Sequence, residues 1–265
     1  MSRPKDSWNS GDPYEYFMGR WSKLIAPLFL EWVNVPSSLS WLDIGCGTGA
    51  LSEAIYNICK PANLTCIDPS PEFLDMTRKR LSNAMDFAIG TASNIPKASQ
   101  TFDIVTSALA LNFFPDLPGA CSEMKRVLKP NGTIAVYVWD YSGRMDFLRY
   151  FWDAARDADP HAGKLDEGVR FPICNIDNLK NLFQEAGLSD VKTTHLDVPT
   201  VFKNFEDYWN PFLGGQGPAP SYVASLKEDL RTNLKSRLRE KLPTDGDGSI
   251  RLLARALAIR GIRKE

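Results

Sequence analysis

The sequence predicts an α/β fold, a parallel sheet covered by helices on both faces. Three observations predict it. Short apolar runs alternate with stretches of helical periodicity through the first 140 residues. The runs are continuous rather than alternating, as strands buried on both faces require. A glycine turn in "WLDIGCGTGAL" (Gly45, Gly47, Gly49) joins the first run to the helix after it.

The elements follow in order. "SKLIAPLFLEWV", Ser22 to Val33, reads as an opening helix, and "SLSWLDIG" as a buried strand. "GALSEAIYNIC" is a helix that begins at the glycine turn. "ANLTCIDPS" is a second strand, stopped by Asp68 and Pro69, and "PEFLDMTRKRL" a second helix with Pro71 in its first turn. "MDFAIGTA" and "FDIVTSAL" are the third and fourth strands, followed by a helix through "ACSEMKRVL". "KPNG" is a turn and "TIAVYVWD" a fifth strand. The crossovers should be right-handed.

After Asp140 the character changes. "RMDFLRYFWDAARDA" is an aromatic-rich helix, and "NIDNLKNLFQEAGL" is a helix capped at Gly187. "SDVKTTHLDVPTVF" reads as a sixth strand. "GSIRLLARALAIRG" is a seventh strand or a helix; Arg251, Arg255 and Arg260 do not settle its period. "NFEDYWNPFLGGQGPAPSYV" reads as a long loop, followed by one helix with leucines at 226, 230, 234, 238 and 242. We read 36–140 as the binding core. Residues 141–175 and 203–247 are insertions forming a lid, within one domain spanning 1–265.

Composition narrows the function. Of 265 residues, 43% are hydrophobic and 24% charged, with a net charge of −1. That balance suits a globular core and a small or neutral substrate, not a nucleic-acid surface. Five scattered cysteines and two distant histidines offer neither a disulfide framework nor a metal-ligand pattern. The polar N-terminal stretch and the absence of a spanning apolar run point to a cytoplasmic protein without membrane attachment.

The glycine turn suits a nucleotide-type ligand, because glycine allows positive φ and close backbone approach. Asp68, ending the second strand, is placed to accept hydrogen bonds from both ribose hydroxyls. Gly45 to Ala50 fits G-x-G-x-x-A, a dinucleotide fingerprint, which alone is a weak signal. Read as D-x-G-x-G-x-G from Asp43, the same stretch carries an acid that would repel a pyrophosphate. An acid there suits an α-amine or a sulfonium, which favours S-adenosylmethionine over NAD.

"LDIGCGTG", the acid of "CIDPS", "FDIVTSALALNFFPD" and "EMKRVLKPNGTIAVYVW" resemble, in order and spacing, the motifs of class I S-adenosylmethionine-dependent methyltransferases. The likeness is closest to the small-molecule, ubiquinone-biosynthesis type and covers roughly 15–140. It implies a Rossmann-like, seven-stranded, mostly parallel sheet whose last strand is antiparallel. It implies that Gly45, Gly47 and Gly49 line the methionine portion, that Asp68 takes the ribose and that Pro69 borders the adenine. The family usually has an acid in the triplet after strand three; here the triplet is Gly90-Thr91-Ala92, so Thr91 stands in the acid's place.

Asp43 is assigned to the cofactor or to capping the turn, Ala108 to the cofactor's edge, and Arg20 to the cofactor's carboxylate or to the surface. Asn112, which interrupts an apolar run, is a candidate to orient the acceptor or to cap the next helix. Asp140 is a candidate base or a cap. Trp139, Tyr208 and Trp209 are assigned to the acceptor pocket, with Gly214, Gly215 and Gly217 giving the lid freedom. Methyl transfer from a sulfonium is an in-line displacement with a neutral leaving group, so positioning can supply most of the catalysis. The expected partner is a small apolar or aromatic acceptor, with the chain a monomer or homodimer. The alternatives are a non-catalytic cofactor-binding protein and a protein or RNA methyltransferase.

Overall fold

The computed structural model describes residues 15–81, 85–214 and 217–264. Gly215 lies outside them. In chain order the first elements are α1 (Arg20–Val33), β1 (Ser40–Ile44), α2 (Ala50–Ala54), β2 (Asn63–Asp68), α3 (Pro71–Leu81), β3 (Asp86–Ile89), β4 (Phe102–Ala108), α4 (Leu117–Val127) and β5 (Leu128–Trp139). There follow α5 (Asp146–Ala158), α6 (Glu167–Arg170), α7 (Ile176–Glu185), β6 (Leu188–Phe202), α8 (Phe205–Trp209), α9 (Pro218–Ser225), α10 (Glu228–Lys241) and β7 (Ile250–Arg263).

The strands form one seven-stranded sheet in the order β3-β2-β1-β4-β5-β7-β6. Strands β1 to β5 pair in parallel, and β7 runs antiparallel to β5. This is a Rossmann-like sheet with its final strand reversed. The apolar runs explain it: β1, β2 and β4 are almost wholly buried. From β1 the chain moves outward through β2 and β3, then returns to place β4 on the other side of β1. That reversal opens a crevice beyond the carboxyl ends of β1 and β4.

The "KPNG" turn lies inside β5 as a bulge. Phe102 pairs with Leu128, but Ile104 already pairs with Thr133, and Asn131 takes φ 63°. The "GSIRLLARALAIRG" stretch lies on a strand, β7, and two arginines of that strand, Arg260 and Arg263, cap helices. The Arg260 guanidinium donates to the Trp32 and Val33 carbonyls at the end of α1. The Arg263 guanidinium donates to the Lys125 and Leu128 carbonyls at the end of α4. Each puts a cation where unpaired carbonyls and the helix dipole favour one.

The chain divides into two compact units. The core unit holds Ser22–Trp139, Ile173–Leu196 and residues from Ala256 onward. Among the described residues the second unit holds 15–21, then Asp140–Pro172 and Asp197–Arg255. The second unit has an aromatic interior: the Phe151 and Phe212 rings stack with centroids 4.5 Å apart, and the Tyr208 hydroxyl donates to the Phe147 carbonyl at 2.7 Å.

Two expectations about this unit are corrected. The stretch read as a long loop is helical through α8, a 3₁₀ turn at Asn210–Gly214, and α9. Its polar and proline residues are helix-start signals as well as loop signals: Asn204 accepts from the Asp207 N–H, and Pro218 opens α9. The leucine-spaced stretch is one helix, α10, but it starts only at Glu228, because Leu226 and Lys227 are extended, with ψ 143° and 156°. Among the described residues no helix is long and apolar enough to cross a membrane.

Candidate functional site

The site lies in the core unit, where the turn after β1 faces the ends of β2 and β4. Gly45, Gly47 and Gly49 all take positive φ, 67°, 53° and 86°. A Cβ on Gly45 would stand 2.7 Å from the Ala110 Cβ, and one on Gly49 would stand 2.8 Å from the Thr77 Cγ2. A Cβ on Gly47 would meet nothing within 4 Å. Gly45 and Gly49 are thus glycine because protein packs on them. Gly47 is glycine in open space, where its backbone is bare to whatever approaches.

Hydrogen bonds hold the turn in this form. The Gly45 N–H donates to the Ile67 carbonyl at 2.7 Å and the Cys46 N–H to the same oxygen at 3.1 Å. The Gly47 N–H donates to Asp68 Oδ2 at 3.0 Å, and the Ser70 N–H donates to Asp68 Oδ1 at 2.8 Å. Burial raises the Asp68 pKa, while the bonds from Ser70 and Gly47 lower it. Beside it Pro69 is exposed, Thr91 is exposed and bridged to Asn94, and Ala92 is buried.

Asp43 lies beneath the turn, wholly buried. The Ser52 hydroxyl donates to its Oδ2 at 2.5 Å and the Thr106 hydroxyl to its Oδ1 at 3.4 Å. Burial outweighs these bonds and pushes its pKa from 3.8 to about 7. Asp43 therefore ties β1 to α2 and β4 through the interior.

At the end of β4, Leu109 takes φ 55°, a strained conformation for a bulky side chain. Its N–H still donates to the Tyr137 carbonyl at 2.8 Å. The kink swings Ala110 onto Gly45. Ala108 and Asn112 flank it. The Asn112 Nδ2 and Oδ1 are both buried, and neither has a hydrogen-bond partner among the described residues. Asn112 does not cap the next helix, because Asp116 does, accepting from the Gly119 N–H at 2.9 Å.

The core unit thus gathers Asp43, Gly45, Gly47, Gly49, Asp68, Pro69, Thr91, Ala92, Ala108 and Asn112. Trp139 also belongs to it, at the end of β5 and only 1% exposed. Arg20, Asp140, Tyr208 and Trp209 belong to the second unit. There Arg20 pairs with Asp207 at 3.0 Å, its guanidinium over the Trp21 and Phe202 rings. Asp140 accepts from the Gly143 and Arg144 N–H groups, the geometry of a turn cap. Tyr208 and Trp209 are buried. Sequence reasoning missed Thr77, Leu109 and Ala110, whose roles depend on what they pack against. The small Ala-Leu-Ala run after β4 was the only available signal.

Residues 42–136 match the methyltransferase domain family. That match and the relatives below support a class I S-adenosylmethionine-dependent methyltransferase. It is 28% identical over 201 residues to a demethylmenaquinone methyltransferase of Bacillus licheniformis, covering 70% of this chain and 79% of that one. Its fold is similar to that of the YcgJ protein from Bacillus subtilis, with TM-score 0.59 and 19% identity, covering 91% and 99% of the two chains. It is also similar to that of the phosphoethanolamine N-methyltransferase 2 of Haemonchus contortus, with TM-score 0.56 and 15% identity, covering 96% of this chain and 56% of that one. The site fits the family's cofactor: an open backbone cradle at Gly47 lies beside a carboxylate at the end of β2.

Proposed function

We propose that this methyltransferase acts on a small, apolar or aromatic acceptor, with the cofactor held across the ends of β1, β2 and β4. The observation that carries the cofactor placement is Gly47, left-handed, open on its Cβ side and tied to Asp68. Gly45, Gly47 and Gly49 would line the methionine portion, Asp68 would hold the ribose hydroxyls, and Pro69, Thr91 and Ala92 would border the adenine. Asp68 can do this while keeping Gly47 and Ser70, because a carboxylate offers about four acceptor sites. When bound, S-adenosylmethionine supplies a methyl group on a sulfonium whose thioether leaves uncharged. The chain's own task is then positioning and exclusion of water. Asn112, with two buried polar atoms lacking partners, would orient the acceptor's reacting atom.

The acceptor class is supported by the Bacillus licheniformis relative, named for a quinone substrate, and by the absence of a basic excess in this chain. The test is incubation with isotopically labelled S-adenosylmethionine and a metabolite extract, with mass spectrometry of the products. A labelled small apolar product is expected. Label found only in protein or RNA would overturn the acceptor class.

A further inference from the structure

Thr77 lies on α3, outside every motif that drew attention to the turn, and is wholly buried. Its side chain touches two of the three glycines. The hydroxyl donates to the Gly47 carbonyl at 2.7 Å. The methyl Cγ2 lies where a Cβ on Gly49 would fall, 2.8 Å away. One residue thus supplies a polar tether to the open part of the turn and an apolar floor to its end.

The tether matters because of the geometry of the peptide it holds. A trans peptide places its C=O and N–H on opposite sides. Fixing the Gly47 carbonyl on α3 therefore turns the Thr48 N–H away from α3. Glycine on one side of that peptide lowers the barrier to rotating the whole plane, because no Cβ opposes it. A Cβ on Gly47 would meet nothing within 4 Å, so no neighbouring side chain limits the rotation sterically on that side. The hydroxyl of Thr77 holds the carbonyl of that peptide, and the Asp68 carboxylate fixes the preceding peptide through the Gly47 N–H.

We infer that Thr77 is a positioning residue for the cofactor: its hydroxyl presets the Gly47–Thr48 peptide in the orientation the ligand meets, and its methyl supports Gly49. This rests on the cofactor placement proposed above. The two functions of the side chain are separable by substitution. Thr77→Val keeps the shape and the methyl but removes the donor. Thr77→Ser keeps the donor but removes the methyl.

The experiment is calorimetric titration of the full chain and both variants with S-adenosylmethionine and S-adenosylhomocysteine, with a melting curve of each ligand-free protein. Thr77→Val should weaken both ligands by about 5–10-fold, the effect of one lost neutral hydrogen bond. Thr77→Ser should bind within about 2-fold of the parent yet melt at a lower temperature, because a buried methyl is lost. A purely structural residue would make affinity track melting temperature across the variants, and that pattern would overturn the inference. So would unchanged affinity in Thr77→Val. If the parent chain itself bound neither sulfur compound, the cofactor placement would fail and the inference with it, an outcome readily told from the other two.

Discussion

The Gly47 N–H donates to Asp68 Oδ2 at 3.0 Å, joining the turn after β1 to the end of its neighbour β2. The other oxygen of the same carboxylate holds the Ser70 N–H. One buried acid therefore shapes both turns at the crevice. An acid in that position holds the protein backbone and, in the proposed cofactor placement, would also accept from a ligand's hydroxyls.

Asp68→Ala removes both duties. Charge-assisted hydrogen bonds contribute about 1.5–3 kcal/mol each. Affinity for S-adenosylmethionine should fall at least about tenfold. Asp68→Asn keeps one acceptor oxygen and should lose less. Titration calorimetry decides it, and an unchanged dissociation constant in Asp68→Ala would remove Asp68 from the cofactor site.

The three glycines should not respond alike. Gly47→Ala meets no clash, so its stability cost is the left-handed backbone alone, about 1–2 kcal/mol. Gly45→Ala adds a collision with the Ala110 Cβ. It should therefore unfold at lower denaturant than Gly47→Ala. Ala110→Gly in the Gly45→Ala background should recover the difference. Denaturant midpoints for the three proteins give the answer, and equal midpoints for the two single variants would contradict the packing at Gly45.

Asp43 makes stability depend on pH. Burial raises its folded pKa from 3.8 to about 7. A carboxyl whose folded pKa exceeds its unfolded value takes up a proton on folding between the two. Its stabilising contribution is full below about pH 4 and is lost as pH rises through about 7. Asp43→Asn stays neutral and keeps an acceptor for the Ser52 hydroxyl. Relative to the parent, its melting temperature should rise between pH 5 and pH 8. A constant difference across that range would mean that Asp43 titrates normally.

Trp209 is 2% exposed and lies against the Phe212 ring, 6.3 Å between centroids. Trp209→Ala should destabilise the protein by about 3–5 kcal/mol, the cost of emptying a large core position. Tyr208→Phe removes only the donor to the Phe147 carbonyl and should cost about 1–3 kcal/mol. Chemical denaturation measures both. A folded, stable Trp209→Ala with impaired turnover would return the ring to the acceptor pocket.

The core unit was legible in the sequence because its signals are local. The apolar runs of β1, β2 and β4 can only be buried strands, and a glycine triplet between strand and helix has few other uses. The second unit was less legible. Asn204 and Pro218 serve loops and helix starts equally well, and the choice is made by the aromatic interior around them. Arg251, Arg255 and Arg260 obscured the period of β7, and Arg260 looks across at a helix end far away in sequence. Thr77 could not be found at all, since nothing in "FLDMTRKRL" says that a glycine carbonyl lies opposite.

Asn112 offers the sharpest separation of function from stability. Its Nδ2 and Oδ1 are buried without partners among the described residues, and leaving such atoms unpaired costs about 1–3 kcal/mol. A residue kept for folding would not carry that cost, whereas a residue kept to meet a ligand carries it until the ligand arrives. Asn112→Leu, of similar size and without polar atoms, should melt no lower than the parent and by this reasoning higher. The same variant should form labelled product from the metabolite extract at least about tenfold more slowly, while S-adenosylmethionine affinity stays within about 3-fold. If the variant instead unfolds readily and transfers methyl at the parent's rate, Asn112 is structural and the acceptor is oriented elsewhere. If it loses cofactor affinity as strongly as Asp68→Ala, the asparagine meets the cofactor and not the acceptor.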